Sequence, residues 1–111
     1  MRVGLVAAAL MLLNVSMPPP GTSAKLMSAE QTDLPFTGLK DPNSVAVATN
    51  GDVYITDAGH RRVLKLGVGS TQQTELPLVG LSWPEGVAVD AGGSVYVADT
   101  MNARIIKFAA G

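Results

Sequence analysis

The chain has 111 residues, 47% of them hydrophobic and 15% charged, with a net charge of −1. That length holds one small domain, and the composition excludes a disordered charged tail and offers no basic footprint for nucleic acid. Cysteine is absent, which excludes disulfides, thiolate zinc sites and a thiol nucleophile together.

Met1-Arg2 gives a short positive start, and residues 3–15 are apolar except for Gly4 and Asn14. Pro18-Pro19-Pro20-Gly21 follows, with small residues at Ala24 and Ala29. That order is the order of a secretory signal, cleaved after Thr22-Ser23-Ala24 or Met27-Ser28-Ala29. The apolar run is shorter than the roughly 20 residues of a membrane-spanning helix. An uncleaved or truncated anchor is therefore the second reading, and a buried core helix the third. Residues 1–29 are assigned to this leader or short anchor with its Pro-rich linker. The chain is expected to be secreted or extracytoplasmic, or held at a membrane through residues 3–17. Asn14-Val15-Ser16 fits a glycosylation sequon but lies inside the leader and is discounted.

Shifting the chain by 42 places aligns residues 31–69 with residues 73–111 without a gap, and 17 of the 39 pairs are identical. Residues 30–111 are therefore read as two repeats, 31–72 and 73–111. Each repeat predicts four short strands. Residues 31–36 are strand-like and end near a proline. Residues 44–48 are Val-rich and follow Pro42. Thr49-Asn50-Gly51-Asp52 is a turn, because Asn-Gly favours the positive φ of tight hairpins. Residues 53–56 (Val-Tyr-Ile-Thr) form a strand by β-branched and aromatic content. Asp57-Ala58-Gly59-His60 turns again, and residues 62–66 form the next strand. The second repeat places strands at 86–89, 95–98 and 104–108, with Ala91-Gly92-Gly93 as its hairpin. A period near 40 with four strands per unit predicts propeller blades. The small Val45-Ala46-Val47 and Val87-Ala88-Val89 suit the crowded inner strand, while Tyr54, Tyr96, Leu66 and Phe108 lie further out.

The pattern Pro-x-x-Val-Ala-Val, then Gly-x-Val-Tyr-[Ile/Val]-x-Asp, then four residues and Arg-[Val/Ile], resembles the NHL repeat. The lead-in Leu34-Pro35-Phe36-Thr37-Gly38-Leu39 and the ending Val63-Leu64-Lys65-Leu66 resemble, within that family, the extracytoplasmic sensor propellers of mycobacterial serine/threonine-protein kinases. The resemblance covers residues 31–111. It implies an all-β fold of two NHL-type four-stranded antiparallel propeller blades. The family usually closes six blades into a ring, so this is a partial arc. An uncapped blade forfeits the roughly 25 cal/mol per Å² that burial of its apolar face would give. The expectation is a fragment of a larger propeller, or a subunit that self-associates to complete one, three copies supplying six blades. The implied function is an exported binding or sensor module without catalytic activity, whose partner is a protein or a small extracellular ligand. The alternatives are a metal-dependent lyase or lactonase of the NHL-like type, or a non-functional truncated fragment of a receptor kinase sensor domain. Nucleic-acid binding, known for some NHL domains, is opposed by the acidic balance and the leader.

Asp57 and Arg62, and again Asp99 and Arg104, are five residues apart. The pairs read either as polar binding sites on one propeller end or as a turn-capping Asp with an Arg bracing the next strand. Recurrence in both repeats favours the structural role for Arg62 and Arg104, since an active site is usually singular. His60 is the only His and is expected to be solvated rather than a metal ligand; neither a metal nor a cofactor is expected. Asp57 and Asp99 would need a defined separation to act as a glycosidase pair. Ser44, Ser70 and Ser94 lack a nucleophile elbow, and the chain has no phosphate loop, His-Arg-Asp or Asp-Phe-Gly of a kinase. The repeats diverge where loops are expected: Asp41 and Asn43 become Trp83 and Glu85, and Gly59-His60-Arg61 becomes Met101-Asn102-Ala103. Such loops carry function over a constant scaffold. The candidate binding residues are therefore Trp83, Glu85, Asn43, Asp57 and Asp99. Trp83 is the first of them, with packing against Pro84 and the adjoining blade as its alternative.

Overall fold

The hydrophobic alternation after residue 40 becomes two antiparallel sheets in a computed structural model, which describes residues 29–110. The expected leader lies almost wholly in residues 1–28, outside the described residues. By its contacts the chain divides into two units, Met1–Asp33 and Leu34–Gly111. The described part of the first, residues 29–33, is exposed and has no regular secondary structure.

The second unit holds β1 (Pro42–Val47), β2 (Val53–Asp57), β3 (Arg62–Leu66), β4 (Gln73–Glu75), β5 (Pro84–Val89), β6 (Val95–Asp99) and β7 (Arg104–Phe108). They form a four-stranded sheet in the order β1-β2-β3-β4 and a three-stranded sheet β5-β6-β7. We call these blade 1 and blade 2. All pairings are antiparallel. A single turn of 3-10 helix joins β2 to β3 at Ala58–His60 and β6 to β7 at Thr100–Asn102.

The β1–β2 hairpin closes with the Gly51 amide donating to the Ala48 carbonyl at 2.9 Å and the Ala48 amide to the Asp52 carbonyl at 2.8 Å. Within this loop only Gly51, at φ +98°, has a positive φ. The turn is therefore a three-residue loop ending in a left-handed glycine, the positive φ expected of the Asn-Gly dipeptide falling on Gly51. Gly93 repeats this at φ +90°.

One expectation fails. Residues 31–36 are not a strand, although their counterpart Gln73–Glu75 is one. A strand exists through its ladder, and β4 finds the edge of β3 at Leu64, Lys65 and Leu66. Residues 31–33 have no preceding blade among the described residues. The outer strand of blade 1 thus comes from the start of the second repeat.

Side-chain parity sets the layers. Val45, Ile55 and Leu64 are register partners on one face of blade 1, and Ala46, Tyr54 and Lys65 on the other. Tyr54 and Val63 pack against Val95 and Val97 of blade 2, with Leu76 and Leu81 sealing the same core. Full burial of each such Val or Leu is worth roughly 1.5–3 kcal/mol, so this junction between sheets is the main source of cohesion. The loop ends of both sheets are carried on it.

Candidate functional site

The turn after β2 buries a carboxylate. Asp57 Oδ1 accepts the Lys40 backbone N–H at 2.6 Å, and its Oδ2 accepts Arg62 Nε–H at 2.8 Å. His60 Nδ1 lies 2.9 Å from the same Oδ2. Arg62 Nη2 donates onward to the Gly38 carbonyl at 3.1 Å. Blade 2 repeats the arrangement. Asp99 accepts the Ser82 N–H at 2.7 Å, Arg104 Nε–H at 2.7 Å and Asn102 Nδ2–H at 2.7 Å. Arg104 Nη2 donates to the Val79 carbonyl at 3.2 Å. Each Asp–Arg pair therefore ties the segment entering a blade to the turn between its second and third strands.

Both carboxyl groups are fully buried. Burial alone would raise the pKa of Asp57, but the bonds from the Lys40 amide, Arg62 and His60 outweigh it and hold the group below its ordinary value of 3.8. For Asp99 burial again pushes up, and Asn102, the Ser82 amide and Arg104 pull it below 3.8. These are ionised carboxylates saturated by donors from their own blade. Sequence reading found the pairs by their spacing but missed the Lys40 and Ser82 amides, because backbone donors leave no signature in residue type.

The other candidates are more open. Trp83 stands immediately before β5 with φ +56°, and Asp41 holds the matching place before β1 with φ +53°. Positive φ is tolerated by Asp but is an outlier for a bulky side chain, at a cost of order 1–3 kcal/mol. Each also precedes a proline, which ordinarily imposes an extended backbone. Pro84 is buried while Trp83 remains partly exposed. Around it, the Met101 N–H donates to the Ser82 carbonyl at 3.1 Å, and Thr100 Oγ1–H donates to Glu85 Oε1 at 3.0 Å. Trp83, just before β5, Glu85, near the start of β5, and Met101, in the turn after β6, are thus exposed side chains at one end of blade 2. Asn43 is on blade 1, where with Phe36 and Val45 it lines a groove on the outer face; it shares no hydrogen bond with Trp83 or Glu85.

At the opposite end, a cleft of about 340 Å³ lies between the hairpins, lined by Asn50, Asp52, Tyr54, Lys65 and Gly93 among others. Asp52 accepts the Val68 N–H at 2.8 Å and lies 3.4 Å from Lys65 Nζ. The Val68 amide, the Asn50 side chain and Lys65 together hold it below 3.8 against the effect of burial. In blade 2 the place of Asp52 is taken by Ser94, and Asp90, at the place of Ala48, accepts the Gly92 and Ser94 amides and the Tyr96 hydroxyl. Sequence reading passed over both, although an Asp flanking a hairpin glycine signals a turn-bracing carboxylate. Among the described residues, no three His, Cys, Asp or Glu side chains converge as metal ligands.

The NHL repeat family matches residues 39–66 and 81–108. No curated protein matches the chain. Among solved structures, it is similar to a streptogramin B lyase at 16% identity and a TM-score of 0.48, over 60% of this chain and 25% of that one. It is similar to the selenomethionine-substituted virginiamycin B lyase from Staphylococcus aureus at 18% identity and a TM-score of 0.48, over 60% of this chain and 26% of that one. The chain spans about a quarter of the length of these proteins.

Proposed function

Because this chain belongs to the NHL repeat family, we propose that it is a non-catalytic binding or sensor module, exported from the cytoplasm, that engages its partner through the loop end of blade 2. The observation that carries the reading is Trp83, a large aromatic kept partly exposed on a left-handed backbone beside Glu85 and Met101. The left-handed backbone recurs at Asp41 and so belongs to the repeat; what blade 2 adds is a large aromatic placed on it. Exposed Trp is also the residue type most enriched among binding anchors. The partner is a protein or a small extracellular ligand, in the manner of a receptor kinase's sensor propeller. Asp57 and Asp99 support this reading indirectly: each is held by three hydrogen-bond partners and braces the loops.

A photo-crosslinking residue at position 83 of the full chain, expressed in its own host, tests the proposal. Adducts should form from position 83 and be absent from a matched probe at Thr49, which is exposed on the opposite end. Equal labelling from both positions, or none from either, refutes the site. The competing reading, a metal-dependent lyase or lactonase, requires stoichiometric metal binding, which calorimetric titration with divalent cations measures directly.

A further inference from the structure

The junction between the blades uses one face of each. Blade 1 contributes the face carrying Tyr54 and Val63. Blade 2 contributes the face carrying Val87 and Val95, sealed by Leu76 and Leu81. The repeat copies both kinds of face into both blades, so among the described residues one of each is left over. On blade 1, Leu34, Leu39, Val45 and Val53 hold the places of Leu76, Leu81, Val87 and Val95. On blade 2, Tyr96 and Ile105 hold the places of Tyr54 and Val63. Every one of these substitutions keeps an apolar or tyrosine side chain, yet the burial is inverted. Leu81 is 6% exposed and Leu39 38%; Val63 is 0% exposed and Ile105 70%. Leu34, Leu39, Val45 and Val53 line an open groove of about 300 Å³.

We propose that the free face of blade 1 docks on the free face of blade 2 in a second copy of this chain, repeating the internal junction head to tail. The junction itself specifies the occupant: what covers Leu81 and Val95 inside the chain is a Tyr and a β-branched residue, and blade 2 presents that pair outward. A contact between unlike faces is heterologous, and it propagates until it closes into a ring or continues as an open assembly. One polar detail differs. The Val87 N–H donates to Ser44 Oγ at 3.3 Å across the internal junction. Between copies Val45 takes the place of Val87 and Gly86 that of Ser44, so this acceptor is missing. A Cβ at Gly86 would meet only the Ala98 Cβ at 3.5 Å, an ordinary contact, so Gly86→Ser can supply the hydroxyl.

Sedimentation velocity and light scattering on the full chain, across a concentration series, test the proposal with Val45→Glu, Ile105→Glu and Gly86→Ser. Val45 and Ile105 are both mostly exposed, so their variants should keep the wild-type far-UV circular dichroism. The wild type should form concentration-dependent species heavier than the monomer. Each Glu variant alone should be monomeric. An equimolar mixture of the two should give a one-to-one dimer and nothing larger, because a single intact pair of faces remains. Gly86→Ser should tighten association by about 2- to 10-fold, the worth of one hydrogen bond. A wild type that is monomeric throughout, association that survives both Glu variants, or a mixture that stays monomeric overturns the proposal.

Discussion

Truncating Asp57 to Ala removes a carboxylate that three donors share: the Lys40 amide at 2.6 Å, Arg62 Nε at 2.8 Å and the His60 ring at 2.9 Å. Removing one partner of a buried ion pair typically costs about 3–5 kcal/mol, because the survivor is left uncompensated. The Arg62 side chain is 22% accessible, so water regains part of that loss, and we expect about 2–4 kcal/mol. Asp99→Ala deletes the same chemistry, but Arg104 is 46% accessible and rehydrates more readily, which lowers the expected cost to about 1–3 kcal/mol. Either loss is a large share of a small domain's stability. Urea unfolding, followed by the fluorescence of the single Trp83 and by far-UV circular dichroism, gives both values. The reasoning is refuted if Asp57→Ala costs less than about 1 kcal/mol, or if Asp99→Ala is the more damaging of the two.

Acid should destabilise the fold through the same groups. Asp57 and Asp99 are held below 3.8 when folded, so the stability they contribute is present above pH 3.8 and lost as pH falls through the lower folded values. Thermal melts from pH 7 to pH 2 should stay level to about pH 4 and then fall, and Asp57→Asn should flatten the fall. Gly59→Ala should cost about 1–3 kcal/mol despite Met101 standing at the equivalent place in blade 2, because a Cβ at Gly59 would sit 2.6 Å from Lys40 Cγ and 2.7 Å from the Lys40 carbonyl oxygen; a melting temperature equal to wild type contradicts this. If the leader is cleaved as its order of residues predicts, intact-mass measurement of exported protein will find a new N-terminus at Lys25 or Glu30, and an unprocessed Met1 chain argues for the anchor.

The strands of this protein were legible in its residues because their causes are local. Val45-Ala46-Val47 and Val53-Tyr54-Ile55 alternate across a pleat, the glycine at 51 ends a hairpin, and the 42-residue echo confirms each assignment independently. Pairing between distant segments was another matter. Residues 31–33 and 73–75 are nearly the same in sequence, yet only the latter is a strand, since a ladder depends on the neighbour that arrives and not on the segment's own preference. The five-residue spacing announced the Asp–Arg pairs, whereas the saturation of each carboxylate by a backbone amide from 17 residues upstream is a product of the folded chain. Likewise Trp83 was visible as a lone aromatic in a variable loop, but its left-handed backbone, held against the extended conformation that a following proline favours, and its partial exposure belong to the folded chain. Local chemistry is written residue by residue; which face meets which is decided only when the sheets close on one another, because burial is a property of pairs of surfaces.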